Sequence, residues 1–261
     1  MKSLDAEALQ DTSVNFKGEA QKKSPARLTS KQAQAIAVYR DGAAIYDRLN
    51  LLMSAGSGNW YRKRALQTLD LAPQARVIDL ACGTGSMAIA AQRAFPDSPS
   101  ILAIDPTPEM RTLASRAGVR DVRSGSFGAI PAGNSSYDAV VCAYALRYAE
   151  PRHSAFVDIL RVLKPGGKLL LLEMIVPARG LRRILARTLL TTIGPPFCSL
   201  LCRNPAAGRL VGHLWQSIST LAGPQTIVAD LEKAGFVSVR YHHVGGLLGE
   251  FRARAPEAPR T

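Results

Sequence analysis

The sequence is poor in aromatic and in acidic residues. Phe, Trp and Tyr together make up 6% of the 261 residues, and no arrangement of them suggests a platform on which bases could stack. We therefore expect no nucleic-acid partner. Lys and Arg outnumber Asp and Glu by 33 to 20, which gives a net charge of +13. An excess of this size suits an anionic partner, either nucleic acid or a membrane surface rich in acidic lipid, and the charge alone does not choose between the two.

Signals for export and for metal binding are also missing. The first 40 residues contain no apolar stretch long enough for a secretory signal. The four cysteines lack zinc spacing, and His153 and His213 have no evident partner in sequence. His242 and His243 are adjacent in a predicted strand and so point to opposite faces, and we assign no metal. We expect reduced cysteines in a cytoplasmic protein. The hydrophobic content of 47% is ample for the packed core of one domain.

Hydrophobic patterning divides the chain into one domain and two short tails. Residues 1–30 are polar and lack periodicity, which predicts a disordered tail, and 256–261 form a second tail. Within 31–255, helices come first, as candidates for a lid, and strands then alternate with helices. This alternation predicts a parallel sheet with helices on both faces. Two strands joined at Gly245-Gly246 predict a closing antiparallel hairpin, for seven strands in a Rossmann-like α/β fold.

A helical insertion, residues 178–222, stands before the last predicted helix. Leucines and Ile184 line one side of its first helix, and another side carries three arginines, Arg182, Arg183 and Arg187. We do not predict a membrane span here, because Arg187 interrupts the apolar segment and Gly194-Pro-Pro196 breaks it. Two interpretations stay open. Residues 181–203 lie on acidic lipid, or they cap the sheet domain with solvated arginines outside.

A glycine turn follows the first predicted strand, in Val77-Ile-Asp-Leu-Ala-Cys-Gly-Thr-Gly85. Glycines at such a turn let the backbone approach a ligand closely, and N–H groups of the turn and of the next helix face that ligand. A dinucleotide and S-adenosylmethionine (SAM) both use a turn of this kind. Gly83, Gly85 and Ala88 with Asp105 match a dinucleotide pattern loosely. Asp79 favours SAM, because its charge would lie close to the pyrophosphate of a dinucleotide and repel it.

Polar and small residues gather at the carboxyl ends of the predicted strands. Ligands of an open parallel sheet bind at that edge, where the strand order reverses. Asp105 ends the second strand, where a carboxylate can accept both hydroxyls of a ribose, and Ser126-Phe127 follow the third strand, where they would border the adenine. The residues that we expect to hold the cofactor are Asp79, Ala81, Gly83, Thr84, Gly85, Asp105, Pro106, Met110, Ser126, Phe127 and Cys142.

Several motifs resemble those of class I SAM-dependent methyltransferases. They are Asp79-Leu-Ala-Cys-Gly-Thr-Gly85, Asp105 with Met110, Ile130-Pro131 with Tyr137-Asp138, Arg161-Val-Leu-Lys-Pro-Gly-Gly167 with Glu173, and Ala234-Gly-Phe236. A more specific likeness lies in Tyr46-Asp-Arg-Leu-Asn50, Trp60-Tyr-Arg62 and Leu146-Arg147, which resemble the ubiquinone/menaquinone biosynthesis C-methyltransferases of the UbiE type. The resemblance covers residues 38–252 and implies a seven-stranded class I methyltransferase sheet with SAM as cofactor.

The resemblance also implies a reaction, the transfer of a methyl group from SAM to a ring carbon of a quinol. It makes Arg147 the candidate for stabilising the phenolate of the acceptor, since arginine stays protonated and is a poor base. Tyr46 and Tyr144 would line the acceptor pocket. A prenylated quinol lives in the bilayer, so the basic segment 181–203 could place the pocket at the membrane.

Three positions depart from the pattern of the resembled family. Ser86 and Ser126 stand where that family usually has acids, and Tyr148 stands where it usually has asparagine. The change at Tyr148 touches the acceptor side. Two other functions therefore stay open, O- or N-methylation of another small apolar metabolite and a SAM-binding accessory protein without catalysis. A homodimer is left open as well.

Overall fold

The structure, a computed structural model, describes residues 29–54, 56–98 and 100–258. The predicted disordered tail, residues 1–30, lies outside the described residues except for its last two. The last three residues of the second predicted tail, 259–261, also lie outside them.

The described residues form one seven-stranded sheet in the order β3-β2-β1-β4-β5-β7-β6. Strands β1 to β5 run parallel, whereas β7 is antiparallel to both β5 and β6. The strands are β1 (Val77–Leu80), β2 (Ile101–Ile104), β3 (Asp121–Arg123), β4 (Tyr137–Ala143), β5 (Leu163–Met174), β6 (Val237–Gly245) and β7 (Leu248–Arg254). The predicted fold class, a mostly parallel sheet closed by an antiparallel hairpin, is confirmed.

Helices precede the sheet, connect its strands and form the insertion. The described helices are α1 (Ser30–Gly42), α2 (Tyr46–Ser54), α3 (Gly58–Gln67), α4 (Ser86–Ala94), α5 (Pro108–Arg116), α6 (Arg152–Val162), α7 (Leu181–Thr188), α8 (Gly194–Cys202), α9 (Pro205–Ser219) and α10 (Pro224–Lys233). Two short 3-10 turns, Ala43–Ile45 and Leu146–Tyr148, precede α2 and follow β4.

Both faces of the central strands are buried, because successive side chains point to opposite faces and helices cover each face. Leu169 and Leu171 of β5 belong to one apolar cluster, which includes side chains of α6 and α10. Leu170 and Leu172 belong to a second cluster on the opposite face, with side chains of α3 and α4. A side-chain period of two therefore explains why the central strands are almost wholly apolar.

A third apolar cluster joins the N-terminal helices to the insertion. It packs Ile45 and Leu49 against side chains of the insertion, which include Leu190, Val211 and Trp215. The helices that carry Tyr39 and Tyr46 are thus held in place by the insertion, and both tyrosines pack at the edge of this cluster. The insertion supports the part of the chain that covers the sheet edge.

The predicted break at Gly194-Pro-Pro196 is wrong, because Leu181–Cys202 forms one continuous helical segment. A π-helical turn, Leu189–Ile193, joins α7 to α8, and the two prolines occupy the first turn of α8. Proline is tolerated in the first turn of a helix, because the N–H groups there make no hydrogen bond within that helix. The π turn before α8 changes the spacing of the backbone hydrogen bonds and so accommodates the two prolines. By length and composition this segment is long and apolar enough to cross a membrane.

Other boundaries differ by a few residues. β3 is only three residues long, and α2 runs on to Ser54. Residues 164–167 form a bulge inside β5, where the pairing with β4 shifts between Tyr137 and Ala139.

Candidate active site

The loop after β1 contains three residues with positive φ, Ala81 (59°), Gly83 (55°) and Gly85 (86°). This conformation is easy for glycine and uncommon for a residue with a side chain, so Ala81 is held in place by its surroundings. A Cβ added at Gly85 would lie 2.7 Å from Val119 Cγ2. Gly85 therefore lets the loop pack closely on its neighbours, while Gly83 faces the open edge of the sheet.

Asp105 ties the glycine loop to the end of β2. Its Oδ2 accepts a hydrogen bond from the Gly83 N–H at 2.9 Å, and its Oδ1 accepts one from the Thr107 N–H at 2.8 Å. Each carboxylate oxygen has a second lone pair, so Asp105 can still accept two hydroxyls. Burial raises the pKa of Asp105, and the two N–H groups oppose that rise.

Two adjoining clefts open at this edge of the sheet, with empty volumes of about 700 Å³ and about 350 Å³. Four of the sequence-predicted site residues line both clefts: Tyr46, Ala81, Gly83 and Tyr144. Five more line the larger cleft: Asp105, Pro106, Met110, Ser126 and Phe127. Asp79 and Thr84 line the smaller cleft.

Three of the predicted site residues are not among the lining residues of either cleft in the described part of the chain: Gly85, Cys142 and Arg147. Cys142 is fully buried near the end of β4, and burial raises the pKa of its thiol well above the ordinary value. Arg147 lies in the 3-10 turn after β4 and is 3% exposed.

Asp79 is a buried carboxylate without a partner. It is 1% exposed, and neither oxygen has a hydrogen-bond partner among the described residues. Burial raises the pKa of Asp79 to about 7, although the backbone N–H of Ala88 and the guanidinium of Arg62 lower it. Such a group is costly in the free protein and needs a donor or a cation. The ammonium group of SAM would satisfy it, so the residues present fit this cofactor.

Thr84 and Asp47 connect the glycine loop to α2. The Thr84 hydroxyl donates a 2.7 Å hydrogen bond to Asp47 Oδ1. Arg62 of α3 lines the smaller cleft beside Asp79, and its guanidinium lies 5.7 Å from the centre of the Tyr144 ring. The smaller cleft thus presents an unpaired carboxylate and a guanidinium side by side, which suits a ligand that carries both a cation and an anion.

Tyr46 and Tyr144 stand between the two clefts. Burial raises the pKa of Tyr46 to about 12 and also raises the pKa of Tyr144, so both are neutral at pH 7. Tyr144 has a φ of 63° at the end of β4, and its N–H donates to the Leu172 carbonyl at 2.7 Å. A left-handed conformation costs energy for a bulky residue and is often found at functional sites.

Arg147 is held by an ion pair behind the larger cleft. Its Nη1 lies 2.5 Å from Glu173 Oε1, and its backbone N–H donates to Glu173 Oε2 at 3.2 Å. Its Nη2 lies 3.4 Å from the Tyr39 hydroxyl, and Tyr39 does line the cleft. Arg147 can therefore act on a ligand in the cleft indirectly, by donating a hydrogen bond to the Tyr39 hydroxyl.

Several residues that line the clefts are not among the predicted site residues, although Tyr148 was noted as a departure from the family pattern on the acceptor side. Tyr39 and Gln32 of α1 and Tyr148 line the larger cleft, and Asn50 lines the smaller one beside Arg62. The motifs Tyr46–Asn50 and Trp60–Arg62 already pointed to Asn50 and Arg62. No local pattern in α1 marks Tyr39, which reaches the cleft only because α1 packs against α9.

Comparisons with known proteins identify the family of this chain. The model of the ubiE/COQ5 methyltransferase family matches residues 27–251. The demethylmenaquinone methyltransferase of Thermus thermophilus is 31% identical over 211 residues, which cover 78% of this chain and 93% of that protein. The ubiquinone/menaquinone biosynthesis C-methyltransferase UbiE of Rubrivivax gelatinosus is 34% identical over 209 residues, 78% of this chain and 80% of that protein.

A solved structure supports the fold. Human N-acetylserotonin methyltransferase in complex with SAM aligns with a TM-score of 0.57 at 21% identity, over 87% of this chain and 60% of that chain. The predictions of a SAM-dependent methyltransferase and of SAM as cofactor are confirmed. The chain belongs to the ubiE/COQ5 methyltransferase family.

Proposed function

We propose that this methyltransferase methylates a ring carbon of a quinol, in ubiquinone or menaquinone type biosynthesis. The observation that carries the proposal is the larger cleft, which joins Asp105 and the glycine loop on one side to a group of tyrosines on the other. Aromatic side chains of this kind suit a flat, largely apolar ring. The names of the two bacterial relatives point to the same class of acceptor.

The cofactor would lie across both clefts. When bound, SAM supplies an electrophilic methyl group on a positively charged sulfur. Asp79 would accept its ammonium group, Arg62 would face its carboxylate, and Asp105 would accept the ribose hydroxyls. The remaining cofactor residues would line the adenosine side or shape the glycine loop, and they are Ala81, Gly83, Thr84, Gly85, Pro106, Met110, Ser126 and Phe127. Cys142, which is buried in β4 and lines neither cleft, is left out of this set.

The acceptor would lie against Tyr46 and Tyr144, where the two clefts meet. These side chains would orient the ring and exclude water, because alignment in a dry site lowers the barrier of an in-line transfer. Arg147 would stabilise negative charge on the acceptor oxygen through the Tyr39 hydroxyl, 3.4 Å from its Nη2. The burial of Arg147 and its ion pair with Glu173 support this indirect role over direct contact.

A membrane surface is the second part of the proposal. One side of the segment Leu181–Cys202 packs on the domain through residues spaced four apart: Ala186, Leu190, Gly194 and Cys198. The remaining surface of the segment exposes large apolar side chains: Leu181, Ile184, Leu185, Leu189, Ile193, Phe197, Leu200 and Leu201. Arg182 and Arg187 are exposed on the same segment.

This arrangement supports a helix that lies on a bilayer better than one that crosses it. A crossing helix would have to leave the third apolar cluster, which includes Leu190, and would carry Arg187 into hydrocarbon. An interfacial helix keeps its packed side and places its exposed apolar side in the lipid, with arginines among acidic head groups. We accordingly place the protein in the cytoplasm, bound to an acidic membrane face where a prenylated quinol is available.

The acceptor is tested with demethylmenaquinol in lipid vesicles and SAM carrying a ¹³C-methyl group. NMR of the product distinguishes a methyl group on carbon from one on oxygen, and C-methylation is the expected result. A methyl group on oxygen, or no reaction here but turnover of another small apolar compound, would favour the O- or N-methyltransferase alternative. Tight SAM binding that Asp105→Ala abolishes, without turnover of any acceptor, would favour an accessory protein.

A further inference from the structure

The hydroxyl of Tyr148 connects the larger cleft to a buried histidine of the insertion. Tyr148 lines the cleft, and its hydroxyl lies 2.9 Å from Nε2 of His213 on α9. The two rings lie parallel, with an angle of 4° between their planes and 6.1 Å between their centres. His213 is 7% exposed and Tyr148 is 8% exposed, so the pair is fixed by packing on both sides.

The other groups at the cleft are poor candidates for accepting a proton from the acceptor. Arg147 has no free lone pair. The carboxylates among the lining residues, Asp79 and Asp105, lie at the glycine loop, where the cofactor would bind. Burial raises the pKa values of Tyr39 and Tyr46, so these hydroxyls are neutral at pH 7. The imidazole of His213 can act as a base, and the hydroxyl of Tyr148 connects it to the cleft.

We propose that Tyr148 and His213 form a proton relay that deprotonates the hydroxyl of the acceptor, an inference that rests on the proposed quinol substrate. The acceptor O–H bond breaks and its proton bonds to Tyr148 Oη, while the proton of Tyr148 passes to His213 Nε2. The electron pair stays on the acceptor oxygen and makes the ring carbon nucleophilic. Tyr148 touches the acceptor, and His213 is a positioning residue that acts through it.

The protons balance over one turnover. After methyl transfer, the methylated ring carbon has lost its aromatic bonding and carries one proton too many. That proton leaves to water and restores the ring, and the relay returns its proton from His213 through Tyr148 to the oxygen. One proton is released in all, and both side chains regain their starting state.

The charges around His213 keep it neutral, as a base must be. Burial lowers the pKa of His213, and Arg147 and Lys31 lower it further. The titratable and charged groups around His213 come from α1, which contributes Lys31 and Tyr39, and from the turn after β4, which contributes Arg147 and Tyr148. Lys31 is paired with Glu150, and Arg147 is paired with Glu173. Relay action also requires the tautomer whose proton is on Nδ1, because Nε2 must accept from Tyr148. Nδ1 has no partner among the described residues, so no contact there opposes this tautomer.

Two substitutions test the relay by kinetics. Tyr148→Phe removes the hydroxyl and keeps the ring, whereas His213→Gln keeps a polar side chain that is no base. We expect each to lower kcat about 10²-fold or more, with SAM affinity unchanged within about threefold. We expect the kcat of the wild type to fall at acidic pH as His213 becomes protonated, and this fall to be absent in both variants. Ser217→Ala is the matched control, because this hydroxyl of the same helix contacts the Leu214 carbonyl of its own helix.

A second measurement does not depend on turnover. Nitrogen-15 NMR of the unliganded protein assigns the tautomer of His213, with His213→Gln identifying its signal among the four histidines. A proton on Nδ1 supports the relay, and a proton on Nε2 overturns it. Variants that keep both the wild-type kcat and its acid limb also overturn it. If wild type methylates no quinol, the proposed substrate fails, and the tautomer still decides whether Tyr148 faces a base.

Discussion

Arg147 and Glu173 form a buried ion pair, with Nη1 of the arginine 2.5 Å from Oε1 of the glutamate. The two side chains are 3% and 0% exposed. Glu173 also accepts the backbone N–H groups of Arg147 and Met174, at 3.2 Å and 2.8 Å. The pair therefore holds the turn after β4 against β5 and places both Arg147 and the neighbouring Tyr148.

Breaking this pair should destabilise the protein. We expect Arg147→Met to cost about 3–5 kcal/mol of unfolding free energy, because it leaves a buried carboxylate without its cation. Adding Glu173→Gln should recover much of that loss, since the amide oxygen still accepts N–H groups and carries no charge. Chemical denaturation of both single variants and the double variant measures the coupling. Additive losses would show that the pair contributes little beyond its separate hydrogen bonds.

Arg147 also has an expected effect on turnover. In the folded Arg147→Met protein, we expect SAM affinity to stay near wild type and kcat to fall, because the charge behind Tyr39 is lost. Calorimetry and a turnover assay below the unfolding transition measure the two separately. Unchanged turnover would remove Arg147 from the mechanism.

Asp79 should be unfavourable for folding and favourable for binding. At pH 8 its carboxylate is charged and buried without a partner, so Asp79→Asn should raise the unfolding free energy of the unliganded protein on the order of 2–4 kcal/mol. The pKa is raised from 3.8 to about 7 on folding, so this gain should shrink as the pH falls from 7 towards 4. The same variant should bind SAM at least about tenfold more weakly. Weaker binding with no gain in stability would mean that Asp79 has a partner in the free protein.

SAM affinity should depend on pH through Asp79. A bound cation favours the carboxylate, so binding below the free pKa of about 7 must release a proton. We expect the dissociation constant to rise up to about tenfold per pH unit between pH 7 and 5.5. Calorimetry in two buffers of different ionisation enthalpy counts the proton released. Asp79→Asn is the control, and a pH dependence that survives in it would assign the effect to another group.

The bond between Thr84 and Asp47 should help to retain the cofactor. Thr84→Val keeps the shape of the side chain, removes the 2.7 Å hydrogen bond to Asp47 and frees α2 from the glycine loop. We expect SAM to dissociate several-fold faster, with a change of about 1 kcal/mol in unfolding free energy. Thr84→Ser keeps the hydroxyl and should behave as wild type in stopped-flow measurements. Equal dissociation rates in the two variants would contradict this role.

The exposed side of 181–203 should bind acidic lipid. Leu185→Glu with Leu200→Glu places two negative charges on that side, where the wild-type side chains are 59% and 79% exposed. We expect wild type to sediment with phosphatidylglycerol vesicles and not with phosphatidylcholine, and the double variant to stay in solution. Val157→Glu on α6, at a side chain that is 44% exposed, is the matched control. Binding that survives the double variant would place the lipid contact elsewhere.

The sequence predicted the sheet and much of the glycine-loop side because both depend on local patterns. Short apolar runs near Asp79 and Asp105, followed by turn residues and helical patterns, predict parallel strands whose carboxyl ends share an edge, and Gly83 suits the turn there. The bounds of α10 also follow from local signals, a proline at its start and Gly235 after its end.

The acceptor side could not be predicted in this way. Tyr148 and His213 are 65 residues apart in sequence, and Tyr39 and Arg147 are 108 apart. The continuity of 181–202 through Gly194-Pro-Pro196 likewise depends on a π turn that no single residue specifies. Contacts of this kind form when the insertion packs on α1 and α2. That packing is driven by the burial of apolar surface and is not encoded in any short motif.

By itself, then, the sequence determined the order of strands and helices, the glycine loop and the acids at the open edge of the sheet, since hydrophobic period and turn chemistry act over a few residues. Only the tertiary structure decided which tyrosines meet in the larger cleft, that Arg147 stands behind them in an ion pair, and that His213 reaches Tyr148. Those positions are fixed by close packing between elements far apart in the chain, where a shift of one helix would separate every pair.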